Sequence, residues 1–418
     1  MAAGGLDFGT SNSALAIVRN GKADLLPLEP GARTIPSALF FQSEDKTVEI
    51  GSAAMSAYLD GEPGRLMRSL KSALGTKLIE EETVALGRRW RFTDIIALYL
   101  RTVKTRAEEA LGEEITQLVH GRPVHFVNGD ETADREAQNV LEDIAQHVGF
   151  REVVFQYEPI AAALAFERQI ERETLVLVAD IGGGTSDFSI IRARPNRASD
   201  EDQAEDILAN GGLRLGGTDL DRFLSLAEVM PLLGYQQPLL RNDLTPPNWI
   251  YTKLATWAEI AFLYDPALNR EVVRMGAEAR DTKPLNRLHR VLEQRDGHRL
   301  AASVEAAKIA LSGQADYTMP LFYLEEALNL MLKVEALEAA LAGAGRQLTA
   351  EVHACLKAAR VAPGDIDAVI LTGGSSLMPL VQRAIAAAVP DARLTPFDAF
   401  GGVASGLAWQ AERLFNAG

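Results

Sequence analysis

Two short segments place an aspartate, a glycine turn and hydroxyl side chains between apolar runs. Residues 5–18 read GLDFGTSNSALAIV and residues 178–191 read VADIGGGTSDFSII. Asp7 and Asp180 each end an apolar run, and Gly9, Thr10, Ser11 and Asn12, or Gly182, Gly183, Gly184 and Thr185, supply the turn that follows. Glycines let a backbone come close to a polyphosphate because no Cβ intervenes, and such turns aim N–H groups at an anion. Thr10, Ser11 and Thr185 add hydroxyl donors. A carboxylate at the strand end is placed to hold hydrated Mg²⁺, which keeps several waters and takes only one or two carboxylates. The chemistry that suits this pattern is capture of a metal-chelated polyphosphate. No G-x-x-x-x-G-K-[ST] occurs, and the second segment runs strand–turn–strand instead of opening a helix, so neither a P-loop nor a dinucleotide fingerprint is present.

Asp7 and Asp180 lie 173 residues apart, and the likeness of their surroundings predicts two duplicated lobes that face each other. The elements that must position them alternate. Residues 174–179 and 368–371 are apolar on both faces and predict buried parallel strands; 134–148 and 379–389 predict helices. That alternation predicts an α/β fold. A long helical pattern runs over 321–341, a polar acidic loop is expected over 193–210, and 247–264 predicts a helix with Trp249, Lys253, Trp257 and Ile260 on one stripe that packs into a subdomain core.

The chain has 418 residues, of which 47% are hydrophobic and 24% charged, enough apolar material for large cores and too much for a disordered chain. A net charge of −15 argues against general nucleic-acid binding or docking to anionic lipid. No apolar run approaches the roughly 18–20 residues that span a bilayer, and the N-terminus carries no basic-then-apolar leader. One cysteine, Cys355, cannot form an internal disulfide, and the cytoplasm is the expected compartment. The six histidines show no zinc-site spacing.

The two hairpins, together with GGSSLMP at 373–379, resemble the phosphate and adenosine motifs of the actin-like ATPase superfamily. YEPIAAALAF at 157–166 and RLGGTDLD at 214–221 resemble segments of the nucleotide-binding domain of the DnaK-type heat shock protein 70 family, and PNWIYTKLATWAEIAFLY at 247–264 resembles its short YegD-like members. The resemblance runs from Gly5 to about Gly406. It implies two lobes, each on an RNase H-like mixed sheet with an inserted subdomain: 1–172 with an insertion at about 33–115, 173–395 with one at about 218–310, and a terminal helix in 396–418 that returns to the first lobe.

The same resemblance assigns roles residue by residue. Lys71 matches the catalytic lysine that sits beside the terminal phosphate and positions the attacking water. Glu158 matches an acid near the metal waters, and Asp180 and Asp187 match the acids of the second hairpin; one of these carboxylates orients or deprotonates water, and Thr185 joins the catalytic set as a hydroxyl donor. Asp7 and Asp180 match the metal-side carboxylates, acting through water. Gly216 and Gly217 match a nucleotide-contacting turn; Glu305, Lys308 and Ser312 match a helix face that touches ribose and adenine; Gly373, Gly374 and Ser375 match the loop that admits the nucleoside. Ile309 and Leu377 stand where two adenine-flanking arginines are expected, so stacking worth about 0.5–2 kcal/mol per cation is forgone, or an apolar slot takes its place.

What the resemblance implies is therefore binding of ATP/ADP with Mg²⁺, and K⁺ as a further ion, with slow Mg-dependent hydrolysis between lobes in a chaperone-like protein that has an unknown protein partner or client. The chain ends at Gly418, which predicts that the peptide-binding domain is lacking. The alternative is a non-hydrolysing nucleotide-dependent scaffold or sensor. A small-molecule kinase ranks last, because no acceptor pocket can be located in the sequence.

Overall fold

Each aspartate of the repeated motif sits one residue before the end of a central strand, Ala2–Phe8 and Thr174–Ile181. The structure is a computed structural model that describes residues 2–127, 130–195, 203–239, 244–395 and 398–415; residues 196–202 of the expected acidic loop and 416–418 of the expected terminal helix lie outside the described residues. Each central strand has an antiparallel neighbour on one side, Asn12–Arg19 or Ser186–Ala193, and a parallel neighbour on the other, Ile115–Arg122 or Ala368–Thr372. The sequence repeat is therefore a repeat of topology. Glu152–Tyr157, Lys22–Leu25 and Thr34–Pro36 extend the first sheet, and Ile207–Leu213 and Arg393–Thr395 extend the second.

The chain divides into two compact units. The first comprises residues 1–213, 351–376 and 386–418; the second comprises 214–350 and 377–385. Both mixed sheets belong to the first unit. Between them lie the helices Glu158–Glu167 and Gly402–Phe415, and one continuous apolar cluster joins Ala3 and Val119 of the first sheet, Val176, Val178 and Ile370 of the second, and Ala161, Val403 and Leu407 of the helices. Gly5 and Gly406 permit this packing: a Cβ on Gly5 would strike the backbone of Leu407 and Ala408, and one on Gly406 would strike the Ala161 carbonyl. The helix expected at 134–148 spans Glu131–Val148, because the Asp130 carboxylate accepts from the N–H groups of Thr132 and Ala133 at 3.1 and 3.0 Å and starts it earlier.

The second unit holds the helices Gly217–Leu224, Pro266–Ala277, Lys283–Glu293 and Gly297–Leu311 and a two-stranded ribbon. That ribbon overturns one expectation. Residues 321–341 are not one helix: Asn329–Lys333 pairs with Asp316–Pro320, and the helix begins only at Val334. Leu332 and Met319 bury on one face while Met331 stays exposed, a period-two pattern inside a stretch that also fits a helical period. The helix expected over 247–264 breaks into Asn248–Leu254 and a 3₁₀ segment, Trp257–Leu263. Its core is made by Ile250, Tyr251, Leu254 and Ile260; Trp249 is half exposed, with the Lys253 ammonium 5.5 Å from its ring. The loop expected over 193–210 is shorter, because 207–210 belong to the strand Ile207–Leu213.

Candidate active site

Lys71 rides on a short 3₁₀ turn, Leu70–Ala73, anchored by buried Leu70, Ala73 and Leu74. Ser69 enters this turn in the left-handed conformation, at φ 58°, a cost for a residue with a Cβ that a functional turn commonly carries. The result is an inward-facing ammonium whose Nζ donates to Glu158 Oε1 at 2.5 Å, with side chains only 11% and 12% exposed. Glu158 opens its helix, and Gly121 on the neighbouring strand leaves room for it: a Cβ there would come within 3.2 Å of Glu158 Cγ.

Asp180 and Asp187 face each other across the second hairpin, and Thr372 lies in register on the other side of Asp180, to which its hydroxyl bonds. Thr185 Oγ1 donates to Asp187 Oδ2 at 3.0 Å, and Gly182 N–H donates to Thr185 O at 2.9 Å to close the turn. The two turns touch: a Cβ on Gly183 would run into Ser11 Oγ. The first turn is pinned by Ser37, whose hydroxyl donates to Gly9 O at 2.7 Å and whose N–H donates to Ser11 O at 2.8 Å. Gly373, at φ 76°, passes against Asp180 Oδ1 and Ile181 O, where a Cβ would not fit, and Ser375 Oγ donates to Gly182 O at 3.4 Å.

Four carboxylates thus surround one ammonium, and the electrostatics record the imbalance. Burial, followed by the charges of Glu158 and Asp180, pushes Asp7 up to about 8 even though Lys71 opposes it. Burial, then Glu158 and Asp187, pushes Asp180 up to about 7. Asp187 is raised by burial and Glu158 against the pull of Thr185. Burial alone would lower Lys71, but Glu158, Asp7 and Asp180 outweigh it and hold the ammonium charged. Such a cluster suits a hard cation that brings its own water. Among the described residues no group of three acidic, histidine or cysteine side chains forms a direct metal site; Asp7 and Asp180 are the residues that would hold a hydrated Mg²⁺ through its waters.

The raised Asp180 makes folding stability depend on pH. Its unfolded value is near 3.9, so the native carboxyl holds its proton to higher pH, and that stabilisation is lost as pH rises through about 7. Asp180→Asn cannot ionise. In the metal-free protein its stability advantage over wild type, followed through Tm, should grow as pH rises from 5 to about 7, by on the order of 2–3 kcal/mol, and level off above that. A difference that is flat or shrinks across that range contradicts the assignment.

The first unit therefore brings together Asp7, the turn Gly9 to Asn12, Lys71, Glu158, Asp180, the turn Gly182 to Thr185, Asp187 and Gly373 to Ser375. Gly216, Gly217, Glu305, Lys308 and Ser312 belong to the second. There Lys308 is buried, with Nζ 2.8 Å from Asp221 Oδ1 and donating to Gly217 O at 3.1 Å, so it ties its helix to the Gly216–Gly217 turn. Ser312 Oγ donates to Lys308 O at 3.0 Å. Ile309 and Leu377 are exposed, at 63% and 49%. Sequence reasoning did not single out Ser37, Gly121 or Thr372. Strand pairing reveals all three: Thr372 by its register against Asp180, Ser37 beside the strand that follows Ser11, and Gly121 beside the strand that leads into Glu158.

Paired Asp-and-glycine hairpins on two sheets of the same topology define an actin-like ATPase fold. Comparison with known proteins narrows this. The profile of the family described as Hsp70 protein matches residues 3–229 and 279–416, and the chain belongs to the Hsp70 family. It is 27% identical over 437 aligned positions to a protein of Azotobacter vinelandii named chaperone protein HscA homolog, covering 99% of this chain and 58% of that protein. It is 28% identical over 389 positions to chaperone protein DnaK of Mesomycoplasma hyopneumoniae, covering 91% of this chain and 53% of that one. The chain spans little more than half the length of these curated relatives. Among the described residues no helix is long and apolar enough to cross a membrane.

Proposed function

We propose that this protein binds ATP and ADP with Mg²⁺ over the paired turns, hydrolyses ATP slowly, and serves as a chaperone-like nucleotide switch for a protein partner or client. The observation that carries this reading is one ammonium, Lys71, fixed by Glu158 among Asp7, Asp180 and Asp187 beside two touching glycine turns. Phosphoryl transfer is mostly positioning and charge stabilisation, and these residues supply both. Backbone N–H groups of the turns cradle the phosphates. Lys71 faces charge that develops on the terminal phosphate. Asp180, with its value near 7, or Asp187 orients a water and accepts its proton. Mg²⁺, when bound, supplies charge neutralisation between Asp7, Asp180 and the phosphates.

Exposed Ile309 and Leu377 make base contacts secondary to phosphate contacts in this reading. The two lobes expected at 1–172 and 173–395 each contribute one turn, so a bound polyphosphate would tie them together. The names of the relatives, both chaperone proteins, support a client-directed role. Calorimetry with ATP, ADP and GTP, with and without Mg²⁺, tests it. Mg-dependent heats for both adenine nucleotides, accompanied by slow phosphate release, are expected; no heat with any of the three would refute the reading.

A further inference from the structure

A cavity of about 190 Å³ opens beside the carboxylates, within the first unit. At about 30 Å³ per molecule in the liquid, the space holds roughly six waters where hydrolysis consumes one. Its floor is one face of the second sheet. Strand alternation puts Asp180 and Val178, Asp187 and Ser189, and Gly212 and Asn210 on that face in register. The face is mixed along its length: the deeper pair Val176 and Ile191 is apolar core; the middle row carries Ile370 and Val178 beside Ser189 and Asn210; the open end carries Thr372 and the two carboxylates. The rest of the lining comes from Pro123, Val124, His125, Glu158, Pro159 and Val403; its prolines and valines make an apolar flank beside a third carboxylate and an imidazole.

Two details mark this as a built site. Asn210 accepts the Ser189 hydroxyl at 2.8 Å through its carbonyl, which leaves the amide end as a donor. Gly212 lies in the strand on the cavity face, a position where glycine commonly marks close approach by a ligand, whereas Gly211 faces the other side, against Glu351 and Cys355 of the helix Val334–Ala359. A Cβ on Gly212 would stand 2.7 Å from Asp187 Oδ1 and crowd the carboxylate. Glycine keeps the path between Asp187 and Asn210 open.

We propose that this cavity seats a small alcohol with one apolar flank, and that the protein transfers the terminal phosphoryl group of a nucleoside triphosphate to it in place of water. The acceptor hydroxyl lies against Asp180 and Asp187, with Asn210 donating to a second oxygen and the valines covering the hydrocarbon side. In the step, the acceptor oxygen forms a bond to the terminal phosphorus, and the bond from that phosphorus to the bridging oxygen breaks. The bridging oxygen leaves with the nucleoside diphosphate, and the hydroxyl proton passes to a carboxylate. This rests on the nucleotide reading above and extends it from hydrolysis to transfer.

The test measures ADP, inorganic phosphate and phosphomonoester in one reaction with Mg·ATP, using glycerol, 1,2-propanediol, 2,3-butanediol and ethanolamine as probes. With at least one probe, ADP should exceed inorganic phosphate, and the difference should be recovered as the phosphomonoester of that probe. Asn210→Leu should raise the KM for that probe about tenfold, the loss of one hydrogen bond, while calorimetric binding of Mg·ATP persists. ADP equal to inorganic phosphate with all four probes, in protein that binds Mg·ATP, overturns the transfer proposal alone. Absence of Mg·ATP binding in the same preparation overturns the nucleotide reading as well.

Discussion

Lys71→Ala should lower single-turnover phosphate release by about 10²–10³-fold, the scale seen when one preorganised charge-stabilising donor is removed. The ammonium is held by a 2.5 Å bond to Glu158 and kept charged by three carboxylates, so it needs no reorganisation as charge develops on the phosphate. Removing it leaves Asp7, Glu158, Asp180 and Asp187 without the ammonium they face among the described residues. Mg·ATP binding should weaken far less, because the turns and the metal carry the ground-state contacts. The two effects are separated by calorimetry on the variant beside its rate. Hydrolysis within a few-fold of wild type would remove Lys71 from the mechanism.

Gly406→Ala should be the most damaging small substitution in the first unit. Gly406 lies inside the helix Gly402–Phe415, where alanine is ordinarily favoured over glycine by about 1 kcal/mol. Here the added methyl would overlap the carbonyl of Ala161 on the neighbouring helix, a backbone atom that cannot rotate away. Overpacking of this kind costs about 3 kcal/mol or more, which outweighs the propensity gain. The expected fall in Tm is about 6–12 °C. Gly343→Ala is the matched control. It too is mid-helix, but its nearest neighbour is the flexible end of Arg346 at 4.0 Å, so it should be neutral or stabilising. Equal behaviour of the two variants would mean that the helices are not in backbone contact. The helix matters to the site because it packs on the strand that carries Asp7 and on the helix that Glu158 opens.

Much of this site was legible before the fold. Asp7, Asp180 and their glycine turns announce themselves by type and spacing, because close approach to an anion restricts which residues serve. Lys71 did not; a lone lysine has no local signature, and only resemblance to a family pointed to it. Ser37 and Gly121 were invisible, since each acts on a residue brought near by strand pairing. Ser37, for example, reaches Gly9 from 28 positions away. The misread stretch at 321–341 has a related cause. Its leucines satisfy helical and strand periods alike, and the partner strand, Asp316–Pro320, decided between them. The cavity beside Asp187 is likewise a product of register, because Asn210, Gly212 and Ser189 mean nothing together until the strands pair.

The most direct test of the account is a crystal structure with Mg²⁺ and a non-hydrolysable ATP analogue. The phosphates should lie against the turns at 9–12 and 182–185, with the terminal phosphate facing Lys71 and metal-bound waters reaching Asp7 and Asp180. A polyphosphate bound elsewhere, or this cluster left without ligand at saturating analogue, would contradict the account.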